Sequence, residues 1–451
     1  MKKTLLLIAV SILSLGTKAQ IVPSPFWTNQ NANYPNVSTG TQWFDAVDPN
    51  VVWCLGYNGT APNANFNDFT RTINGGTSYS AGLVYADTLT FHPSSIEGID
   101  GNTAWVTSYL NTTLNQGAIH TTTNGGLTWT NMTAANMYTN ATSWADFTTF
   151  CTPTVGITLG DPVGGEFEIH RTTNGGATWT AIAGSVIPNP LGGEYGITDL
   201  YTKFGTNDIW YGTNLGRIYH STNQGVSWSV ASVISGFYIT KIAFRDAMNG
   251  IAYTNNAGSP AYRTSNGGAS WTAITPIDPN MGKNSVCAIP GTNIYASCGA
   301  GAGNNIISYS TDDGSTWNSW GGSNVQYLEV EFVNNIDGFA GGFTDPGNAA
   351  LNGMFKYSGV PLGVSNVGIP YASVEMYPNP STGIVTIDLA PTKEGGTLLI
   401  IDAMGKTVYS ENIRNVSFEK HNLNLEHLAK GMYSVNIVRA GRTESKKIVI
   451  Q

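Results

Sequence analysis

Residues 122–129 read TTNGGLTW, and fifty positions later residues 172–179 read TTNGGATW. Both fit the pattern (Ser/Thr)-x-(Asp/Asn)-x-Gly-x-(Ser/Thr)-aromatic. Four more stretches fit it: TINGGTSY (72–79), STNQGVSW (221–228), TSNGGASW (264–271) and STDDGSTW (310–317). The closing aromatics Tyr79, Trp129, Trp179, Trp228, Trp271 and Trp317 follow one another at 50, 50, 49, 43 and 46 residues. A near-constant period of this length marks a repeat architecture in which each unit is one supersecondary element and cannot bury its apolar face alone.

Each position of the octapeptide has a physical task. The acid or amide (Asn74, Asn124, Asn174, Asn223, Asn266, Asp312) can hydrogen-bond its own backbone two residues on, as in an Asx turn. The glycine two positions later supplies the positive φ that such a turn needs. The aromatic is then free to tuck between repeats. This is a hairpin with a built-in lock, and it carries no catalytic chemistry.

These segments resemble the Asp-box, or BNR, repeat of sialidases, sortilin-type receptors and Ycf48-type photosystem assembly factors. The resemblance covers roughly residues 20–359. It implies an all-β chain folded as a β-propeller, with each box joining the third and fourth strands of a blade on the outer rim, away from the binding face. A spacing near 45 residues fits one four-stranded blade. A seventh unit, VQYLEVEFVNNIDGFAGG…GMFKYSG, follows the sixth box and has none of its own. Its last strand is expected from the N-terminus, where Phe26-Trp27-Thr28 echoes the Trp-Thr closing other repeats; such a donation would remove exposed sheet edges. The count points to seven blades, with six or eight also compatible with the spacing.

Composition agrees. The 451 residues include 53 Gly, 12 Trp and 21 Tyr, and only 11% are charged, which suits short strands joined by tight turns. Lys2 and Lys3, the apolar run from Leu5 to Leu15, and Thr17-Lys18-Ala19 read as a cleavable signal peptide over residues 1–19, too short to span a bilayer. No later segment reaches transmembrane length, so the mature protein is expected to be secreted or held at the outer cell surface after passing the periplasm. Between Gln20 and Tyr371 there are 21 acidic and 9 basic residues. That excess argues against nucleic acid as a partner, because like charge repels phosphate backbones.

After a Gly/Pro-punctuated linker (360–371), residues 372–451 carry about seven short alternating strands, the pattern of a small Ig-like β-sandwich. Here YPNPSTGIVTI (Tyr377, Pro378, Asn379, Pro380, Gly383), the IDAMGK turn, GMYSVNI (Gly431, Tyr433) and the terminal KKIVI (Lys446, Lys447) resemble the type A sorting domain of the Bacteroidetes type IX secretion system. That resemblance implies the type IX machinery as a partner, with the cargo released or attached to the surface.

Four cysteines face an oxidising compartment. Cys287 and Cys298 lie symmetrically about Thr292-Asn293, and a hairpin centred there would set them opposite and permit a disulfide. Cys54 and Cys151 lie in different repeats and are expected as buried thiols. No cysteine has metal-site spacing.

Candidate chemistry is sparse. Sialidase chemistry, as the family implies, uses three arginines gripping a carboxylate. Only five arginines lie between Gln20 and Tyr371; Arg71, Arg171, Arg217 and Arg263 sit just before boxes, leaving Arg245 nearest an inner strand. His120, His170 and His220 recur before boxes as part of the repeat. Aligning the first strand of each unit yields a recurrent charged position, held by Asp45, Glu97, Asp146, Asp199, Lys241 and Glu329, with Ser285 in the sixth. These side chains are expected to ring one mouth of the central channel. They would bind a cation, a basic peptide or a polyhydroxylated ligand, or else serve solvation alone. Asp161, Glu166 and Glu168 form an acid-rich loop that would suit calcium or simply solvent; no cofactor is required. Two functions follow: a binding or adhesion module for a protein or glycan, and a glycoside hydrolase using two channel acids.

Overall fold

A computed structural model describes the chain from Ser24 to Gln451, apart from residues 37, 61–65, 86–90, 111–116, 141, 302, 323, 346–350, 360–361, 363–374, 390–395, 403–405, 414–418 and 440–441. The expected signal peptide and most of the expected linker lie outside the described residues. The chain divides into two compact units, residues 1–364 and 365–451.

The first unit is built from four-stranded antiparallel ladders. Five are separate sheets; two more are joined into one eight-stranded sheet by a single pairing, Gly40 with Phe343. The first, innermost strands of the ladders are Thr39–Ala46, Phe91–Gly98, Ala145–Phe150, Gly196–Phe204, Ile239–Phe244, Ser285–Ala288 and Tyr327–Phe332. Each packs against the next, and Tyr327–Phe332 packs back against Thr39–Ala46, so the circle closes: a β-propeller. Among the described residues the only helical segment is one 3-10 turn, Gly184–Val186. No helix among them is long and apolar enough to cross a membrane.

The N-terminal strand Trp27–Asn31 does pair with Asn352–Tyr357, Trp27 opposite Tyr357, completing the last ladder. Its anchor is Trp27, 3% exposed, whose ring centroid lies 5.7 Å from Trp320, 5.8 Å from Phe332 and 5.4 Å from Tyr357, all edge-on. Joining the first and last strands of the ring in one ladder makes closure cooperative and leaves no free sheet edge there.

The octapeptides sit where the third strand of each ladder turns into the fourth. Their lock differs in detail from a simple Asx turn. In the third copy, the Thr172 hydroxyl accepts the Gly176 amide at 2.9 Å and donates to Asn174 Oδ1 at 2.9 Å. Asn174 Oδ1 then accepts the Thr178 amide at 3.0 Å, four residues on rather than two. The same set recurs in the first copy with Thr72, Asn74, Gly76 and Ser78, and in the sixth with Ser310, Asp312, Gly314 and Thr316. Gly176 has φ +81°, and a Cβ there would lie 2.2 Å from the Trp105 ring of the preceding ladder, so both backbone conformation and close packing demand glycine. The aromatic that ends each octapeptide packs back on the preceding ladder: Trp129 lies 5.5 Å from Phe69, and Trp179 lies 5.8 Å from Trp105. Each gap between ladders is thereby filled by its own apolar cluster, such as Phe147, Ile157 and Leu159 against Ile209, Tyr211 and Tyr219.

The hairpin holding two of the cysteines corrects an expectation. Its turn centres on Gly291-Thr292, one residue earlier than expected, with the Ile289 amide donating to the Ile294 carbonyl at 2.9 Å. Cys298 therefore faces Ser285 and Cys287 faces Ala296, so the two are diagonal neighbours and not a directly opposed pair. All four cysteines are free thiols.

The second unit comprises a three-stranded sheet (Glu375–Tyr377, Ile384–Leu389, Glu419–Asn424) and a four-stranded sheet (Thr407–Ile413, Gly396–Ile401, Gly431–Arg439, Arg442–Ile450). Both contribute to one core, with Val385, Ile387 and Leu423 from the first meeting Leu398, Ile400, Tyr433, Val435 and Ile448 from the second. The YPNPS stretch clasps the last strand. Asn379 donates to the Lys447 carbonyl at 2.9 Å and accepts the Val449 amide at 3.1 Å, while the Gln451 amide donates to the Ser381 carbonyl at 2.9 Å. A Cβ on Gly383 would meet Glu426 at 2.7 Å, and the Tyr433 hydroxyl caps the Ala429 carbonyl at 2.7 Å. Lys446 and Lys447 are exposed, as is Tyr377. Pro378 and Pro380 both follow cis peptide bonds, and Gly431 opens the long strand.

Candidate functional site

The seven innermost strands differ in length, and six of them contain a bulge or irregularity. Counting back from the hairpin that ends each strand gives the true equivalences. The penultimate position is held by Asp45 (opposite Trp53), Glu97 (Trp105), Thr149 (Ile157), Lys203 (Ile209), Ala243 (Ile251), Cys287 (Ala296) and Glu331 (Phe339). Two residues deeper lie Trp43, Ser95, Phe147, Tyr201, Lys241, Ser285 and Glu329.

The expected single ring is therefore corrected. Asp45 and Glu97 share one layer, and Lys241 and Glu329 share the next. Asp199 lies within an irregular stretch at φ +57°, and Asp146 occupies a bulge and is fully buried. A bulge inserts one residue and so flips the alternation for everything before it. Lys203, Glu331 and Tyr201, which the sequence alignment did not pick out, lie on the hairpin side of the irregularities in their strands.

The layer has an evident local cause. An innermost strand is a sheet edge, with unpaired N–H groups facing the channel, and buried N–H groups need acceptors. Each acid supplies one to the next ladder. The Ala46 amide donates to Glu331 at 2.9 Å, the Gly98 amide to Asp45 at 2.7 Å, and the Phe150 amide to Glu97 at 2.9 Å. Deeper, the Phe44 amide donates to Glu329 at 3.2 Å. Three of these four ties lie at or beside the closing seam of the ring.

Two lysines bridge ladders that are not neighbours. Lys203 Nζ reaches Glu97 at 2.5 Å and the Phe150 carbonyl at 3.0 Å, and the Tyr201 hydroxyl donates to the other Glu97 oxygen at 2.6 Å. Lys241 pairs with Glu329. Burial opposes the charge on Lys203, but Glu97 and Asp45 outweigh it and raise its pKa; Glu329 and Asp199 do the same for Lys241. Asp45 is held up to about 7 by burial first and by Glu97 second. Burial, then Glu329, pushes Asp199 up, and burial, then Asp45, pushes Glu331 up.

Asp45, Asp199, Tyr201, Lys203, Lys241, Glu329 and Glu331 line a cavity of about 320 Å³ whose remaining wall includes Arg245 and Ser285 as well as Phe204, Phe244, Pro290 and Phe332. Among the described residues no three His, Cys, Asp or Glu side chains are arranged to hold a metal ion.

The other candidates have structural partners. Arg71 packs over the Trp53 ring and donates to the Gly101 carbonyl of the next ladder, Arg171 donates to Gln224, and Arg263 donates to Ser315. Arg245 pairs with Asp313. His220 stacks on Trp210 at 4.2 Å and meets Asp208 at 2.9 Å. The acid-rich loop is not merely solvated: the Gly196 amide donates to Asp161, and Glu168 accepts the Tyr138 amide at 2.6 Å and the Ser143 hydroxyl at 2.7 Å. Sequence reading also passed over Glu194, whose side chain is fully buried and paired with Arg217. It accepts the Thr213 hydroxyl at 2.7 Å and the Leu191 amide at 2.8 Å, pinning the 187–195 connection to its ladder.

Residues 375–451 match the family described as the secretion system C-terminal sorting domain. The tail is thus the export label of the type IX system, which delivers cargo to the cell surface or the medium. No curated protein matches the chain. Among solved structures, YCF48 bound to D1 peptide aligns over 75% of this chain and 100% of its own, at 14% identity and a TM-score of 0.51, and shares the propeller fold. The GH74 enzyme of Niastella koreensis aligns over 91% of this chain and 68% of its own, at 14% identity and a TM-score of 0.26. Raptor of Chaetomium thermophilum aligns over 74% of this chain and 29% of its own, at 11% identity and a TM-score of 0.46.

Proposed function

We propose that the chain is a seven-bladed Asp-box propeller with an Ig-like sorting tail. In this reading it is exported after loss of an N-terminal signal peptide and acts outside the cell as a binding or adhesion module for a protein or glycan. The observation that carries the reading is the use to which the channel carboxylates are put. Glu331, Asp45 and Glu97 each take an amide of the next ladder, and Glu97 and Glu329 are neutralised by lysines, so the acids are committed to holding the ring. Capture of a peptide by the YCF48 propeller agrees with it. The placement of every propeller arginine on a neighbouring ladder or acid disfavours sialidase chemistry.

A second reading, glycoside hydrolysis, has one observation in its favour. Asp45, near 7, stands beside Glu97, and a carboxyl kept protonated near a second acid is how glycosidases divide acid and nucleophile. The purified chain is to be tested on a glycan and protein array together with a polysaccharide hydrolysis screen. Saturable binding without product supports the module. Product formation abolished by Asp45→Asn transfers the assignment to a hydrolase. Neither binding nor turnover refutes both.

A further inference from the structure

The end of the channel away from the charged layers is built differently. The first strand of each ladder enters at the end opposite the hairpin that closes it, and so opposite the octapeptides. In the six first strands with an irregularity, the residue just before the paired position where it begins is Gly40, His92, Trp144, Tyr195, Tyr238 or Gln326. None is an acid, a lysine or an arginine, and four in successive ladders carry an aromatic ring. Burial holds His92 down to about 4, so its imidazole is neutral.

This aromatic arc is held in place. Tyr109 stacks between His92 at 5.1 Å and Trp144 at 4.2 Å, joining the second ladder to the third. The Tyr195 and Tyr238 hydroxyls meet at 2.6 Å, joining the fourth to the fifth. The Tyr195 amide donates to the Asn214 side chain and the Tyr238 amide to the Asn255 side chain, each at 2.8 Å. Nearby acids are already committed: Glu194 to Arg217, and Asp161 to the Gly196 amide. His92 and Trp144 are buried, whereas Tyr109, Tyr195 and Tyr238 are half-buried and Leu191 and Phe237 beside them are exposed.

A second, independent feature lies in the same set of positions. His92 is 4% exposed and its Nε2 has no hydrogen-bond partner, and Gln326 Oε1, at the equivalent place in the last ladder, has none either. Buried polar atoms left without partners are costly unless a bound group or water completes them.

We infer that this arc binds a strand of neutral polysaccharide laid across successive ladders. Sugar rings present C–H faces to the rings of Tyr109, Tyr195 and Tyr238, and their hydroxyls bond the phenol tips. A ring placed once per ladder suits a ligand that itself repeats. The match of charge is what selects this ligand: a basic or acidic chain would meet no free counter-charge here, and a purely apolar one would strand the polar tips. Rings fixed before binding lose little freedom on capture, which favours affinity. The inference rests on the binding-module reading and names the ligand class.

The test is calorimetry on the full chain with hexasaccharides of β-1,4-glucose, β-1,4-xylose, β-1,3-glucose and β-1,4-mannose. A galacturonate hexamer and a chitosan hexamer serve as acidic and basic probes. We expect a neutral hexamer to bind, its trimer to bind at least tenfold more weakly, and its affinity to change less than twofold between 0.05 and 1 M sodium chloride. Tyr195→Ala and Tyr238→Ala should each weaken it at least tenfold, whereas Leu127→Ser, exposed on an octapeptide at the opposite end, should leave it unchanged. The length and salt measurements on the unaltered chain decide the matter should the tyrosine variants fail to fold. Preference for a charged hexamer, affinity that falls steeply with salt, equal binding of trimer and hexamer, no binding of any neutral hexamer, or binding that survives both tyrosine substitutions overturns the inference. A chain that captures an array protein but no hexamer keeps the binding-module reading and removes this one.

Discussion

Replacing Asp45 with asparagine should change how the stability of the propeller depends on pH. The Asp45 carboxyl is raised from 3.8 to about 7 by burial and by Glu97, whereas in the unfolded chain it titrates near the ordinary value of about 3.9. The folded state therefore holds this proton more tightly. The stability it contributes is fully present below about pH 4 and is lost as pH rises through about 7. A gap of about three pKa units corresponds to roughly 4 kcal/mol. Asparagine keeps an oxygen for the Gly98 amide, which donates at 2.7 Å, but does not titrate. It also removes a charge that helps to raise Glu331 and Asp199, so their contributions shrink in the same direction. Urea unfolding of both proteins from pH 4.5 to 8.5 measures the effect. The variant, less stable than or equal to the parent at pH 4.5, should gain on it by about 3–4 kcal/mol at pH 8.5. Parallel stability–pH curves would show that Asp45 titrates as an ordinary acid and would refute the reasoning.

Further outcomes follow from other contacts. Lys203→Met strands Glu97, which is 2% exposed, as an uncompensated buried charge, and should cost about 3–5 kcal/mol; in a double-mutant cycle with Glu97→Gln the second change should recover much of it. Trp179→Ala empties the gap against Trp105 and Phe150 and should cost about 3–5 kcal/mol by chemical denaturation. Thr172→Val leaves the buried Gly176 amide without its acceptor, costing about 1–3 kcal/mol, whereas Thr130→Val, on the exposed fourth strand, should be near neutral. Oxidation of the purified protein should leave the thiol count unchanged for Cys287 and Cys298, since their diagonal placement does not set them opposite; loss of both thiols with no intermolecular product would contradict that register.

The octapeptides, the period and the donated N-terminal strand were legible because their causes are local or repeated. A hydroxyl, an amide oxygen and a glycine within eight residues close their own hydrogen bonds, whatever lies elsewhere. The strands of the tail were legible for the same reason, through alternation over short runs. The site was read only in part. Asp45 and Glu97 were placed in one layer because their strands end alike. Asp146 and Asp199 lie in irregular stretches that leave no mark in composition, and Lys241 and Glu329 sit two residues deeper than the layer they were assigned to.

What the sequence determined by itself, then, is the repeating unit and its lock, since these rest on bonds between near neighbours. Which acids face one another, and why Lys203 reaches Glu97 across an intervening ladder, were decided only by the closed ring. Closure brings together residues as far apart as Asp45 and Glu331, and in a channel screened from water their charges act on one another strongly. No local pattern encodes that proximity.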